Sequence, residues 1–367
     1  MIKILHFYPA DEKLISQYVE MLCTAMQDNA DVKAEHSLHA FYKTFRQWHP
    51  DIVHLHGCWR TQTALAAKRA GKGGVRIVFS PHGGLEPWVI RQHFWREKLP
   101  KLVTFQRSVV KHSYAVITMG RMEESCLKKL DLNPRLETVK NAIVTETITA
   151  RQMSGEVLAV YRKVLDSDPY GRMDDTPRMA VRALLKAGLT GDSHWLDNEE
   201  FESVHDLSEE DWRLILLYAH QEQVADTVAR GILVTGVQPP TDFQPSSAVW
   251  YQPPHSAKRT AALDITGKDD TAKVVKALRS ARKLARQHRL TVMHLTQLAE
   301  LMRNNRADEE KVERRLDEHK LLKFSRRLMK VLEDLTGLEE GFMVVAPLYD
   351  RTGYNIEQNI TKHFKIL

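Results

Sequence analysis

A chain of 367 residues, 43% hydrophobic and 27% charged, holds enough apolar side chain for two ordinary cores, which excludes wholesale disorder. A formal charge of +6 and a pI near 9.0 lean mildly toward anionic partners such as nucleotide diphosphates or lipid head groups, and exclude little else at this length. No apolar run reaches the ~18 residues that a membrane span needs, and the widely spaced Cys23, Cys58 and Cys126 suit neither a disulfide frame nor a zinc site, so a reducing cytoplasm is expected.

The apolar start, residues 2–7, reads as a strand, too short and without the cleavage region of a signal peptide. Leu14, Tyr18, Leu22 and Ala25 then recur at helical spacing. Residues 51–56 form a second strand entered through Pro50, 61–70 a helix ending near Gly71, and 76–80 a strand closed by Pro81. The stretch 88–112 is predicted helical with a break at Pro100, followed by a strand at 114–119, a helix at 122–130 and a last short strand at 137–140. This alternation predicts an α/β fold, a doubly wound parallel sheet, over 1–150. Beyond it helical patterns dominate, so 151–367 is predicted as a mainly helical second domain, with strand candidates at 231–237 and 342–346. Pro239, Pro240, Pro245, Pro253 and Pro254 predict an irregular loop over 237–255, and 271–335 reads as two or three long charged helices.

Two strand-end loops carry residues capable of chemistry. His54, His56 and Gly57 close one strand; His82, Gly83 and Gly84 follow another, with Glu86 and Trp88 next. Ligands of open parallel sheets bind beyond the carboxyl ends of the strands, so both loops are expected to face one crevice. Glycine lets the backbone approach a ligand or take positive φ, and imidazole can donate to or accept from a sugar hydroxyl. Glu86 can take a proton or hold a hydroxyl, and Trp88 and Trp95 can offer a face to a sugar ring. Each feature has a plainer reading. A strand-end histidine, above all His54, is often a local hydrogen-bonding residue, a glycine pair is often a turn, and tryptophans two helical turns apart often pack in a core.

His49-Pro50-Asp51-Ile52-Val53-His54-Leu55-His56-Gly57 and Ser80-Pro81-His82-Gly83-Gly84-Leu85-Glu86-Pro87-Trp88 resemble, in order, two loops in the N-terminal domain of the large retaining glycosyltransferase family that builds bacterial polysaccharides with the GT-B fold. Ala115-Val116-Ile117 with Met119, and Val139-Lys140-Asn141-Ala142-Ile143, are similar to that family's later strand and domain-closing turn. Here Thr118 to Arg121 replaces its Ser-Glu, and Ala142 replaces a glycine. The resemblance implies a Rossmann-like first half, a nucleotide-sugar donor as co-substrate with no separate cofactor or metal, and a glycan or lipid-linked sugar acceptor. It further implies that His82 orients or deprotonates an acceptor hydroxyl with Glu86 and His56 assisting, and that His54, Gly57, Gly83, Gly84 and Trp88 bind substrate.

That family places a basic pair and two glutamates eight positions apart in its second domain. The spacing occurs at Glu12/Glu20, Glu202/Glu210 and Glu310/Glu318, without the flanking small residues that let amides approach a diphosphate. The first loop, Pro9-Ala10-Asp11-Glu12-Lys13, has two carboxylates where the family has glycines, and these are expected to repel a diphosphate. Positive charge gathers at 271–291, where Lys273, Lys276, Arg279, Arg282, Lys283, Arg286 and Arg289 accompany a stripe of Val274, Leu278, Ala281 and Ala285. Such a helix is a solvated face on a packed element, or a seat for an anionic membrane surface or a diphosphate; the aromatic interleaving of a nucleic-acid module is missing. Two function classes follow. One is a cytoplasmic, peripherally membrane-associated glycosyltransferase; the other is a catalytically degenerate relative that keeps the acceptor crevice and serves as a glycan-binding or regulatory protein. A second parallel sheet in 151–367 would favour the first class, and an all-helical second half the other.

Overall fold

The computed structural model describes residues 1–240 and 262–361, which fall into two compact units, Met1–Leu165 and Asp166–His363. In the first unit, strands β1 (Ile2–Phe7), β2 (Ala30–Glu35), β3 (Ile52–His56), β4 (Arg76–Ser80), β5 (Ala115–Thr118) and β6 (Leu136–Thr138) pair in parallel in the order β2-β1-β3-β4-β5-β6. The predicted strands are present, and β2 is an addition. Its sequence, Ala-Asp-Val-Lys-Ala-Glu, lacks a β-branched run, and the strand is set at the sheet edge by its pairing with β1.

Helices α1 (Lys13–Met26), α2 (Leu38–Trp48), α3 (Thr61–Lys72), α4 (Pro87–Arg91), α5 (Leu99–Lys101), α6 (Arg107–His112), α7 (Arg121–Leu130) and α8 (Ala150–Asp166) cover the sheet. Residues 94–112 are continuously helical, because π-helical turns Phe94–Lys98 and Leu102–Gln106 alternate with α5 and α6. The expected break at Pro100 therefore moves upstream, to extended Gln92 and left-handed His93. Pro100 lies between turns that already depart from the i→i−4 pattern, so its missing N–H disrupts little.

Period-two alternation sorts the strand residues onto two faces. Leu5, Phe7, Val53, Leu55, Ile77 and Phe79 pack with Phe41, Phe45, Ala66, Ala70 and Val110 from α2, α3 and α6. The opposite face carries Ile4, His6, Ile52, His54 and His56, all fully buried. There Tyr18 of α1 packs on His56, and the Tyr161 hydroxyl of α8 lies 2.6 Å from His54 Nδ1. That contact ties α8 to the first unit.

Among its described residues the second unit is built of helices: α9 (Asp175–Thr190), α10 (Asn198–His205), α11 (Glu209–Gln221), α12 (Ala225–Thr235), α13 (Asp270–Arg286), α14 (Val292–Asn304), α15 (Glu309–Glu318), α16 (Leu322–Thr336) and α17 (Arg351–Thr361). The strand expected at 231–237 is instead the end of α12 and its cap. A Cβ on Gly231 would lie 2.1 Å from the Leu184 carbonyl oxygen and one on Gly188 1.9 Å from that of Thr227, so this glycine pair lets α9 and α12 close backbone to backbone. The strand expected at 342–346 is a 3-10 turn followed by a bend whose Met343, Val344 and Val345 fill the helical core, with no strand beside them among the described residues. Residues 271–335 resolve into α13 to α16. Most of the predicted loop at 237–255 lies outside the described residues. No described helix is long and apolar enough to cross a membrane.

Candidate functional site

In the first unit the strand order reverses at β1 and β3, which is where such sheets bind ligands. A cleft of about 1050 Å³ opens beyond the carboxyl ends of β1, β4, β5 and β6. His82, Gly83 and Glu86 enter it from the loop after β4, Met119 to Arg121 from the loop after β5, Lys140 and Asn141 from the chain after β6, and Glu12 and Lys13 from the start of α1.

The His82 loop is held from several sides. His82 itself is left-handed at φ +52°, a conformation uncommon outside glycine although histidine is among the residues that tolerate it. Gly84 N–H donates to the Pro81 carbonyl at 3.0 Å, and Trp59 Nε1 donates to the Gly84 carbonyl at 2.8 Å. A Cβ on Gly84 would lie 2.8 Å from Cys58 Cβ, so this glycine serves close packing behind the cleft. Glu123 of α7 accepts from Leu85 N–H at 3.2 Å and from Met119 N–H at 3.4 Å, clipping the loops after β4 and β5 together. Burial pushes its carboxyl up to about 7. Neither Trp59 nor Glu123 was distinguishable in the sequence; Glu123 and its half-buried neighbour Glu124 read alike.

Behind His82 runs a chain of imidazoles. His82 Nε2 lies 2.8 Å from His56 Nδ1, and His56 Nε2 lies 2.9 Å from His6 Nδ1. His6 Nε2 is buried without a partner. A buried N–H without an acceptor is rarer than a buried acceptor without a donor, which assigns the proton of His6 to Nδ1. The rest follows by alternation: His6 Nδ1–H donates to His56, His56 Nδ1–H donates to His82, and His82 keeps its own proton on Nδ1. Burial lowers the pKa of His6 to about 3 and holds His54, His56 and His82 below the ordinary histidine range, so the chain is neutral near pH 7.

The expected residues therefore separate. His82, Gly83 and Glu86 line the cleft. His56 touches it only through His82, and His54 lies deeper, its two ring nitrogens taken by Tyr161 and by Ser80 Oγ at 2.7 Å. Gly57, at φ +82°, shapes the turn after β3 against Pro9 rather than the cleft wall. Trp88 and Trp95 are 56% and 78% exposed, so neither packs in a core; Trp88 Nε1 donates to Glu86 at 2.5 Å. His6, His54 and His56 bring ligand atoms within 4.8 Å of one another, a possible metal grouping. Hydrogen bonds already use every ring nitrogen there except His6 Nε2.

Charge at the cleft also differs from expectation. Asp11 and Glu12 do not stand as free carboxylates: Arg60 pairs with both at 2.8 Å, which offsets the predicted repulsion. Lys13, Arg121 and Lys140 make no ion pair among the described residues. The amino ends of α1 and α7 carry no side-chain cap, leaving N–H groups that favour an anion. The cleft thus offers a neutral imidazole and a carboxylate beside three cations and two helix starts.

No curated protein and no solved structure matches the chain. Residues 35–147 match the family model described as Glycosyltransferase Family 4, a segment that takes in the His54, His56 and His82 loops but neither β1 nor α1. The first unit accordingly carries a domain like that of glycosyltransferase family 4.

Proposed function

We propose that this is a glycosyltransferase-like protein whose cleft takes a glycan or lipid-linked sugar acceptor and brings it to a nucleotide-sugar donor. The observation that carries the reading is the pairing of two chemistries in one cleft. His82 and Glu86 suit sugar hydroxyls, whereas Lys13, Arg121, Lys140 and the uncapped helix starts suit a phosphate group. A sugar joined to phosphate presents both. The tautomer argument refines the role of His82: with its proton on Nδ1 it donates a hydrogen bond and orients an oxygen, and removal of a proton from the acceptor falls to another group, of which Glu86 is the nearest candidate by chemistry.

The test is transfer from a panel of nucleotide sugars to glycan and lipid-linked acceptors, with wild type and His82→Ala compared. We expect kcat/KM to fall by about 100-fold or more, the scale of losing one preorganised polar contact in a transition state. Absence of both turnover and any Tm shift with every nucleotide sugar and acceptor would overturn the proposal.

One observation favours a second reading. The described part of the second unit has helices as its regular elements and shows no second parallel sheet, which suits a catalytically degenerate, glycan-binding or regulatory protein. Saturable acceptor binding that depends on His82, without transfer from any donor, would select it.

A further inference from the structure

The basic helix α13 divides its charges between two uses. Its apolar stripe is consumed by the helical core: Val274, Leu278 and Ala281 are fully buried, and Ala285 packs partly buried against them. No apolar face remains to lie in a bilayer, as an interfacial helix would require. Lys273 pairs with Asp270 at 2.9 Å, and Lys276 donates to Thr266 Oγ1 at 3.1 Å. Arg279, Arg282, Lys283 and Arg286 make no ion pair among the described residues. These same residues, with His319, line a cleft of about 520 Å³ that contains no carboxylate.

Their positions follow i, i+3, i+4 and i+7, so like charges meet along one helix face, an arrangement that destabilises a helix. The negative end of the helix dipole accounts for Lys283 and Arg286 in the final turn. It does not account for Arg279 and Arg282, or for the concave shape. Arg282 is fixed as well as charged, because its Nη1 donates to the Lys320 carbonyl at 2.8 Å. A fixed guanidinium among exposed cations suits tetrahedral oxyanions, which accept paired N–H donors. No phenylalanine, tyrosine or tryptophan lines the cleft to stack on a base.

We propose that the cleft formed by α13 and the turn after α15 binds a phosphate-bearing anion, either a free diphosphate or the phosphate of a lipid headgroup. The probes are inorganic pyrophosphate and phosphatidylcholine vesicles with and without phosphatidylglycerol, applied to the full chain and to the combined variant Arg279→Gln, Lys283→Gln, Arg286→Gln. All three side chains are exposed, and the Arg282 anchor is left in place. Saturable pyrophosphate binding weakened at least tenfold in the variant, with helix content unchanged, supports the free anion. Binding confined to phosphatidylglycerol vesicles and lost in the variant supports the headgroup. The proposal is overturned if neither probe binds, if the variant binds as well as wild type, or if a duplex oligonucleotide binds more tightly than both. Pyrophosphate held in the first unit's cleft would survive these substitutions, so failure here leaves the reading of that cleft untouched.

Discussion

At the scale of single residues, the proton that His82 presents is decided two side chains away. His6 is the end of the imidazole chain, and its unpartnered Nε2 sets the direction of every donor up to the cleft. His6→Phe moves the buried end of the chain to His56 Nε2, which by the same rule stays unprotonated, so His56 Nδ1–H still donates and His82 should keep its tautomer. The 15N shifts of the His82 ring are expected to report a protonated Nδ1 in the variant as in wild type. Stability should fall by about 1 kcal/mol, since one hydrogen bond is lost while the orphan nitrogen passes from His6 to His56. A mixture of the two ring forms would show that the buried orphan nitrogen does not set the direction of the chain. His82, Glu86 and Gly83 were legible in the sequence because a strand-end loop has few other places to point. His6 was not: a lone histidine in an apolar strand is readable only once β1 and β3 are known to pair His6 with His54. Asp11 and Glu12 were misread for a similar reason, because their partner Arg60 lies 48 or more positions away.

Elements were legible where periodicity was local and failed where a partner decided the outcome. The strands carrying the site are apolar runs ended by proline, histidine or glycine, and they form within a residue or two of their predicted bounds. Edge strand β2 has no such run and depends on β1. Residues 231–237 carry Ile232, Leu233 and Val234, a short apolar run that cannot be assigned by period alone. The deciding fact is tertiary: Gly231 stands against the Leu184 carbonyl of α9. Gly231→Ala would place a methyl 2.1 Å from that oxygen and force the two helices apart. We expect a cost of about 3 kcal/mol or more, well above the gain of about 1 kcal/mol in helix propensity. In amide exchange, protection should fall in α9 and α12 while β1 and β3 hold theirs as an internal reference. Equal protection in all four elements would refute the close crossing.

For the whole molecule, the consequence of placing three histidines inside a sheet is a sensitivity to acid whose sign can be worked out. His6, His54 and His56 are fully buried, and each has its pKa lowered in the fold, whereas the unfolded chain takes up those protons at about 6.5. As pH falls below 6.5 the unfolded state binds more protons than the native one, so stability is lost. Glu123 works the other way. Its carboxyl holds a proton up to about 7 in the fold and only to 4.5 when unfolded, so its share of stability is lost as pH rises through that window. His82 is held down by burial to about 3, as His6 is, and adds its own share. Near pH 5.5 four groups therefore oppose one, a net difference of about three protons, which amounts to about 4 kcal/mol per pH unit. Global protection of β1 and β3 amides should fall between pH 6.5 and 5, steepening to that slope near pH 5.5, where His6→Phe should make it shallower by about 1.4 kcal/mol per unit. A flat profile over the same range would mean that these imidazoles are already charged in the fold, and with that the neutral chain behind His82 would have to be abandoned.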